Sequence, residues 1–178
     1  MRKLPKPGRP ASPEKQLAGF IAKFDPQIAK QIRAARRVLR QRYPTANELV
    51  YDNYNFFVIG YSATERPSDC LFSIAANAKG VGLSFYYGST LPDPHKILLG
   101  SGSQNRFIRI ESEKGLSRPE VKEFMNAAVA QADPALRSAG RGHLTIRSVA
   151  AKQRPRRLAV AVNRVSTPER PEAEFVRR

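Results

Sequence analysis

Tyr51, Asn53 and Asn55 stand at alternate positions in ELVYDNYNFFVIGYS, residues 48–62, where phenols, phenyl rings and amides crowd together. On an extended chain alternate side chains share a face. The spacing therefore predicts hydrogen-bonding groups converging on an aromatic floor, an arrangement able to hold a small polar ligand. Phe85 and Tyr87 in VGLSFYY are expected to extend that floor from a neighbouring strand. Arg109 in NRFIRIE, flanked by inward Ile108 and Ile110, is expected to face outward and supply a counter-charge.

Other residue types offer less chemistry. GSGSQNR, residues 100–106, has glycine-rich amides followed by an arginine, which suits an anion. It lacks the lysine and spacing of a P-loop and leads into a strand, so a turn is the preferred reading. His95 has Asp93 two residues away, and neither His95 nor His143 has the three further ligands that zinc requires. Cys70, the only cysteine, sits beside Leu71 and Phe72 and reads as an inert thiol. Asp52, Asp69, Glu111 and Glu113 could pair as acid and base, but no Ser-His-Asp order or nucleophile elbow accompanies them. Nothing names a cofactor or a catalytic residue.

Charge is the strongest compositional signal. The chain of 178 residues carries a net charge of +16. Residues 1–42 hold a net of +10, residues 43–133 a net of −2 and residues 134–178 a net of +8. Arg33, Arg36, Arg37 and Arg40 crowd one side of an N-terminal helix, and Lys152, Arg154, Arg156 and Arg157 cluster in KQRPRR. Such ends would attract polyanions such as nucleic acid, non-specifically and with affinity falling in salt. A solvated basic tail is the simpler reading of KQRPRR. No run of 18 apolar residues and no signal-peptide pattern is visible, so neither a membrane span nor export is expected, and the cytoplasm is.

The elements that must position these groups follow from periodicity. Residues 1–11 read as a disordered basic arm. SPEKQLAGFIAKF and DPQIAKQIRAARRVLRQRY each begin with a capping residue and a proline, Ser12 with Pro13 and Asp25 with Pro26. Both then show an apolar stripe of helical period. FFVIGY, DCLFSIA, VGLSFYY and NRFIRIE read as strands, and PDPHKILL as a short helix. SRPEVKEFMNAAVAQA is a helix in which Ser117 and Glu120 have capping-box spacing. HLTIRSV, residues 143–149, reads as an edge strand within a basic extension covering 134–178. The order predicts an α+β domain over 12–133, with four to five antiparallel strands against an N-terminal helical pair and a C-terminal helix.

VYDNYNFFVIGYSATERPSDCLFSIA, LPDPHKILLGSGSQNRFIRIES and SRPEV, in that order, resemble the YdhG-like domain family, a bacterial family catalogued mainly as a domain of unknown function. The resemblance covers roughly residues 14 to 132. It implies a compact α+β fold with an antiparallel sheet on helices. Some members are described as frataxin-like iron chaperones, a role that depends on an exposed acidic ridge. The predicted helical pair is basic, with Glu14 and Asp25 its only acids. The expected function is therefore a binding module, not an enzyme, with a small molecule or a protein as partner. Nucleic-acid association and iron handling are the alternatives.

Overall fold

The computed structural model describes residues 11–158. Residues 1–10 of the expected arm and residues 159–178 of the extension lie outside the described residues.

Helix α1 spans Pro13–Ala22 and helix α2 spans Pro26–Arg42. The Ser12 hydroxyl accepts from the Lys15 amide and the Asp25 carboxylate from the Gln27 amide, so each cap satisfies a donor that the helix leaves orphaned. Leu17, Ile21, Ile32, Ala35 and Leu39 are buried along the two stripes. Helix α3, Pro119–Ala130, buries Val121, Phe124, Met125 and Ala128. Its cap differs from expectation. Arg118 is the N-cap residue and no side chain closes the end, so Ser117 and Glu120 form no capping box. Pro119 fixes the first helical position and thereby moves the start one residue on.

The strands are β1 (Asn47–Asp52), β2 (Phe57–Ser62), β3 (Cys70–Asn77), β4 (Gly80–Phe85), β5 (Arg106–Arg109) and β6 (Leu144–Val149). They form one sheet in the order β5-β4-β3-β2-β1-β6. The count is six, not four to five, because ELVYDNYNFFVIGYS folds as a hairpin. Asp52 pairs with Phe57, and Asn53 to Phe56 make the turn, the Asn53 amide donating to the Phe56 carbonyl. The sheet is mixed, since β6 runs parallel to β1. PDPHKILL is not helical: the Asp93 carboxylate accepts from the amides of Ile97 and Leu98, and Lys96 takes a φ of 51°.

Alternation then sorts the side chains. Phe57, Ile59 and Tyr61 of β2, Phe72, Ile74 and Ala76 of β3, and Val81, Leu83 and Phe85 of β4 join the helical stripes in one core. Phe72 touches the rings of Tyr43, Tyr61 and Phe85, and Phe85 packs edge-on against Phe124. Each such ring, fully buried, contributes roughly 1.5–3 kcal/mol. All three helices contribute to that core, which leaves the other face of the sheet without a helix among the described residues.

Candidate binding groove on the open face of the sheet

The open face is built from what alternates with the core. Between Phe72, Ile74 and Ala76, strand β3 places Ser73 and Ala75, and between Val81, Leu83 and Phe85, strand β4 places Gly82 and Ser84. Small side chains here make a hollow. A groove of about 980 Å³ lies over them. Asn53, Tyr54, Asn55 and Phe56 of the β1–β2 turn wall one side, with Val58 below them. Asn105, Phe107 and Arg109 wall the other. Asn77, Lys79 and Gly80 of the β3–β4 turn lie at one end, beyond which the groove reaches Gln27 and Gln31 of α2 and Glu111.

Local structure fixes several of these groups. The Ser84 hydroxyl donates to the Asn105 side chain at 2.9 Å. The Asn77 side chain accepts from the Lys79 amide at 2.8 Å and Gly80 takes a φ of 145°, a combination that makes the β3–β4 turn tight. The Phe107 ring rests on glycine: a Cβ built at Gly82 or Gly100 would stand within 3.8 Å of it. Asn53 accepts from the Ser148 hydroxyl, tying the turn to β6. Among the described residues no hydrogen bond engages the side chains of Asn55 and Arg109, so both can turn to a ligand. The lining mixes amides, two exposed rings (Tyr54 and Phe56) and few charges, which suits non-covalent binding through hydrogen bonds over apolar surface.

The expected site residues divide. Asn53, Asn55 and Arg109 line the groove. Phe85 does not: at 0% exposure it lies in the core, because its strand register pairs it with Phe72 beneath the helices. Tyr87 follows the end of β4 and donates its hydroxyl to the Ser68 carbonyl, away from the groove lining. Tyr51 lies on β1, outside the lining, where burial pushes its hydroxyl up in pKa and nearby Arg147 partly opposes the shift. Ser73, Ala75, Gly82, Ser84, Asn105 and Phe107 were not anticipated. For Ser73, Ala75, Gly82 and Ser84 the signal was the alternation of small with large residues along DCLFSIA and VGLSFYY; for Phe107 it was its place two residues before Arg109 on the same strand face.

The basic candidates divide as well. Arg33 is exposed. Arg36 chelates Glu48 and Glu14, and Arg40 reaches the same two carboxylates. Arg36 also holds the Glu14 carboxyl below its ordinary pKa. Arg37 pairs with Glu113. Glu48 and Glu113, from β1 and the loop before α3, thus oppose a helix whose expected acids were only Glu14 and Asp25.

KQRPRR is not a solvated linker. Lys152 is exposed, and Arg154 stacks over the Tyr54 ring. Arg156 is 4% exposed and donates to the Asp52 carboxylate and to the carbonyls of Asn53 and Asn55. Arg157 donates to the carbonyls of Ala22 and Phe24 at the end of α1, where orphan acceptors need partners. Arg36, Arg40 and Arg156 are therefore engaged by carboxylates of the fold, while Arg157, though bonded to two carbonyls, is exposed. Tertiary proximity to carboxylates and carbonyls, invisible in a basic run, decides it.

GSGSQNR binds its own arginine: Arg106 donates to the carbonyls of Gly102 and Asn105, so the loop presents acceptors to Arg106 and no free counter-charge. Burial pushes the Cys70 thiol up to about 12, which makes it a poor nucleophile. Among the described residues no three of His, Cys, Asp and Glu converge on a point able to hold a metal ion, and no helix is long and apolar enough to cross a membrane. No family model, curated protein or solved structure matches the chain.

Proposed function

We propose that this protein is a binding module whose ligand occupies the open-face groove through non-covalent contacts, and that it is a YdhG-like domain. The groove carries the reading: amides from two hairpin turns and the β5 loop surround a floor of small residues, and Asn55 and Arg109 are uncommitted. Packing alone does not call for small residues in the middle of a sheet, where larger β-formers would bury more surface. The order of motifs supports the family reading. An iron-chaperone role draws less support, since Glu14, Glu48, Asp52 and Glu113 are each occupied by arginine or lysine.

A thermal-shift screen of small polar compounds tests the groove. Ligands that raise the melting temperature of the wild type should do so less for Asn55→Ala and Arg109→Ala. Hits that shift all three proteins equally, or an absence of hits from small molecules and oligonucleotides alike, would remove this function.

A further inference from the structure

The groove opens onto one face of the sheet, whose two margins, the edge strands, carry cations: Arg109 in the groove lining and Arg147 beyond it, beside Tyr51. Arg109 lies on β5 and Arg147 on β6, the two outermost strands, and both are exposed. Five inter-strand steps separate these strands, about 24 Å at the usual spacing. Lys79 lines one end of the groove and Arg154 stands over Tyr54 at the β1–β2 turn. The groove has one lining carboxylate, Glu111, while Glu48 and Asp52 are buried and paired. A ligand that touches both margins is long and anionic.

Between the margins the chemistry changes. Phe56 is 46% exposed on one wall, and Phe107 stands on the other. Aromatic rings accept any nucleobase by stacking. Asn55, Asn77 and Asn105 ring the floor, and each amide offers both a donor and an acceptor, as the edges of bases require. Ser73, Ala75 and Ser84 leave the floor beside the Phe107 ring without bulk, so a flat group can lie against it. The net charge of +16 supplies long-range attraction for a polyanion.

We infer that the occupant of the groove is single-stranded nucleic acid, its bases over Phe56 and Phe107 among the asparagines and its phosphates toward Arg109 and Arg147. This rests on the groove being the binding site. It moves the polyanion surface from the helices to the open face of the sheet, and of KQRPRR it keeps only Arg154, over Tyr54. A duplex keeps its bases stacked inside and cannot use the rings. A mononucleotide cannot reach both margins.

Fluorescence anisotropy of the full chain with a labelled single strand of about 12 nucleotides, its duplex and free mononucleotides tests this. The single strand should bind more tightly than either. Phe107→Leu and Phe56→Leu, checked for folding by circular dichroism, should each weaken it about tenfold without altering the salt dependence. Arg109→Gln and Arg147→Gln should each reduce the slope of log affinity against log salt by about 0.7. Arg33→Gln, on α2, should change affinity less than Arg109→Gln does.

Equal affinity for duplex and single strand, with both leucine variants silent, would reduce the interaction to charge and overturn the inference. Mononucleotides that bind as tightly as the oligomer would overturn it too, and leave the groove reading standing. Small-molecule hits that depend on Asn55, with no oligomer bound, would sink the nucleic acid alone.

Discussion

Arg156 donates to a carboxylate oxygen of Asp52 at 2.9 Å, joining side chains 104 positions apart that are 3% and 1% exposed. Lys23 holds the other oxygen at 2.6 Å. One carboxylate at the end of β1 thus fastens the end of α1 and the segment after β6. Gln153 reinforces the junction by donating to the Asp52 carbonyl. Substituting Arg156→Met should destabilise the fold by about 3 kcal/mol, since a buried carboxylate loses a hydrogen-bonded partner. Urea denaturation measures this. In a double-mutant cycle with Asp52→Asn the two losses should sum to more than the double variant shows.

Tyr61 is fully buried and donates to Glu48, which Arg36 also chelates. Burial, with the Glu48 charge, pushes the phenol well above its ordinary 10. The unfolded chain then releases this proton at a pH where the folded chain keeps it. Stability is fully present below pH 10 and falls above it, by up to about 1.4 kcal/mol per pH unit for this one group. Tyr61→Phe should cost about 1 kcal/mol at pH 7 and flatten the alkaline limb of a stability-against-pH curve.

The Cys70 thiol acts in the same direction over a lower range. Its pKa rises from 9.0 to about 12, chiefly by burial, so its contribution is lost as pH climbs through that interval. The sulfur also lies close to Gly60, where a built Cβ would stand 3.1 Å from it. Cys70 is half-buried, so reaction with a thiol reagent at pH 8 should be slower in the folded protein than in denaturant, chiefly because the thiolate is disfavoured. Equal rates in the two states would contradict the raised pKa.

Gly142 carries the chain into β6 with its amide donating to the Pro44 carbonyl. A Cβ there would lie 1.8 Å from the Ala46 carbonyl oxygen, an overlap with backbone that no rotamer relieves. Gly142→Ala should therefore displace β6 from β1 and cost at least about 2 kcal/mol. Thermal melting reads the loss, and hydrogen exchange should show faster exchange confined first to β6 and β1.

Asn55→Ala and Arg109→Ala remove exposed side chains that make no hydrogen bond among the described residues. Each should leave stability within about 0.5 kcal/mol of wild type while weakening whatever the groove binds. A large loss of stability in either would mean that these groups serve the fold.

The elements were legible where local physics dominates. Ser12 and Asp25 declare two helix starts because capping needs only the next few residues, and the stripe through Ile32, Ala35 and Leu39 needs only helical period. Alternation along β4 placed Val81, Leu83 and Phe85 on one face, but that face is the core and not the ligand floor expected of Phe85. It was less informative over residues 51–56, where apolar and amide residues run together and the tight turn after Asp52 carries no glycine or proline. That turn hid β1 as a separate strand, and with it the sixth strand of the sheet.

By itself the sequence determined the helical pair, the strands β2 to β5, the α+β class and the excess of positive charge, because periodicity and composition are properties of neighbours along a chain. Only the tertiary structure decided that Phe85 is core while Phe107 walls a groove, that β6 joins β1 in parallel, and that Arg156 neutralises Asp52. Those outcomes depend on distances between residues far apart in sequence. A charge has no role until the fold sets what stands beside it.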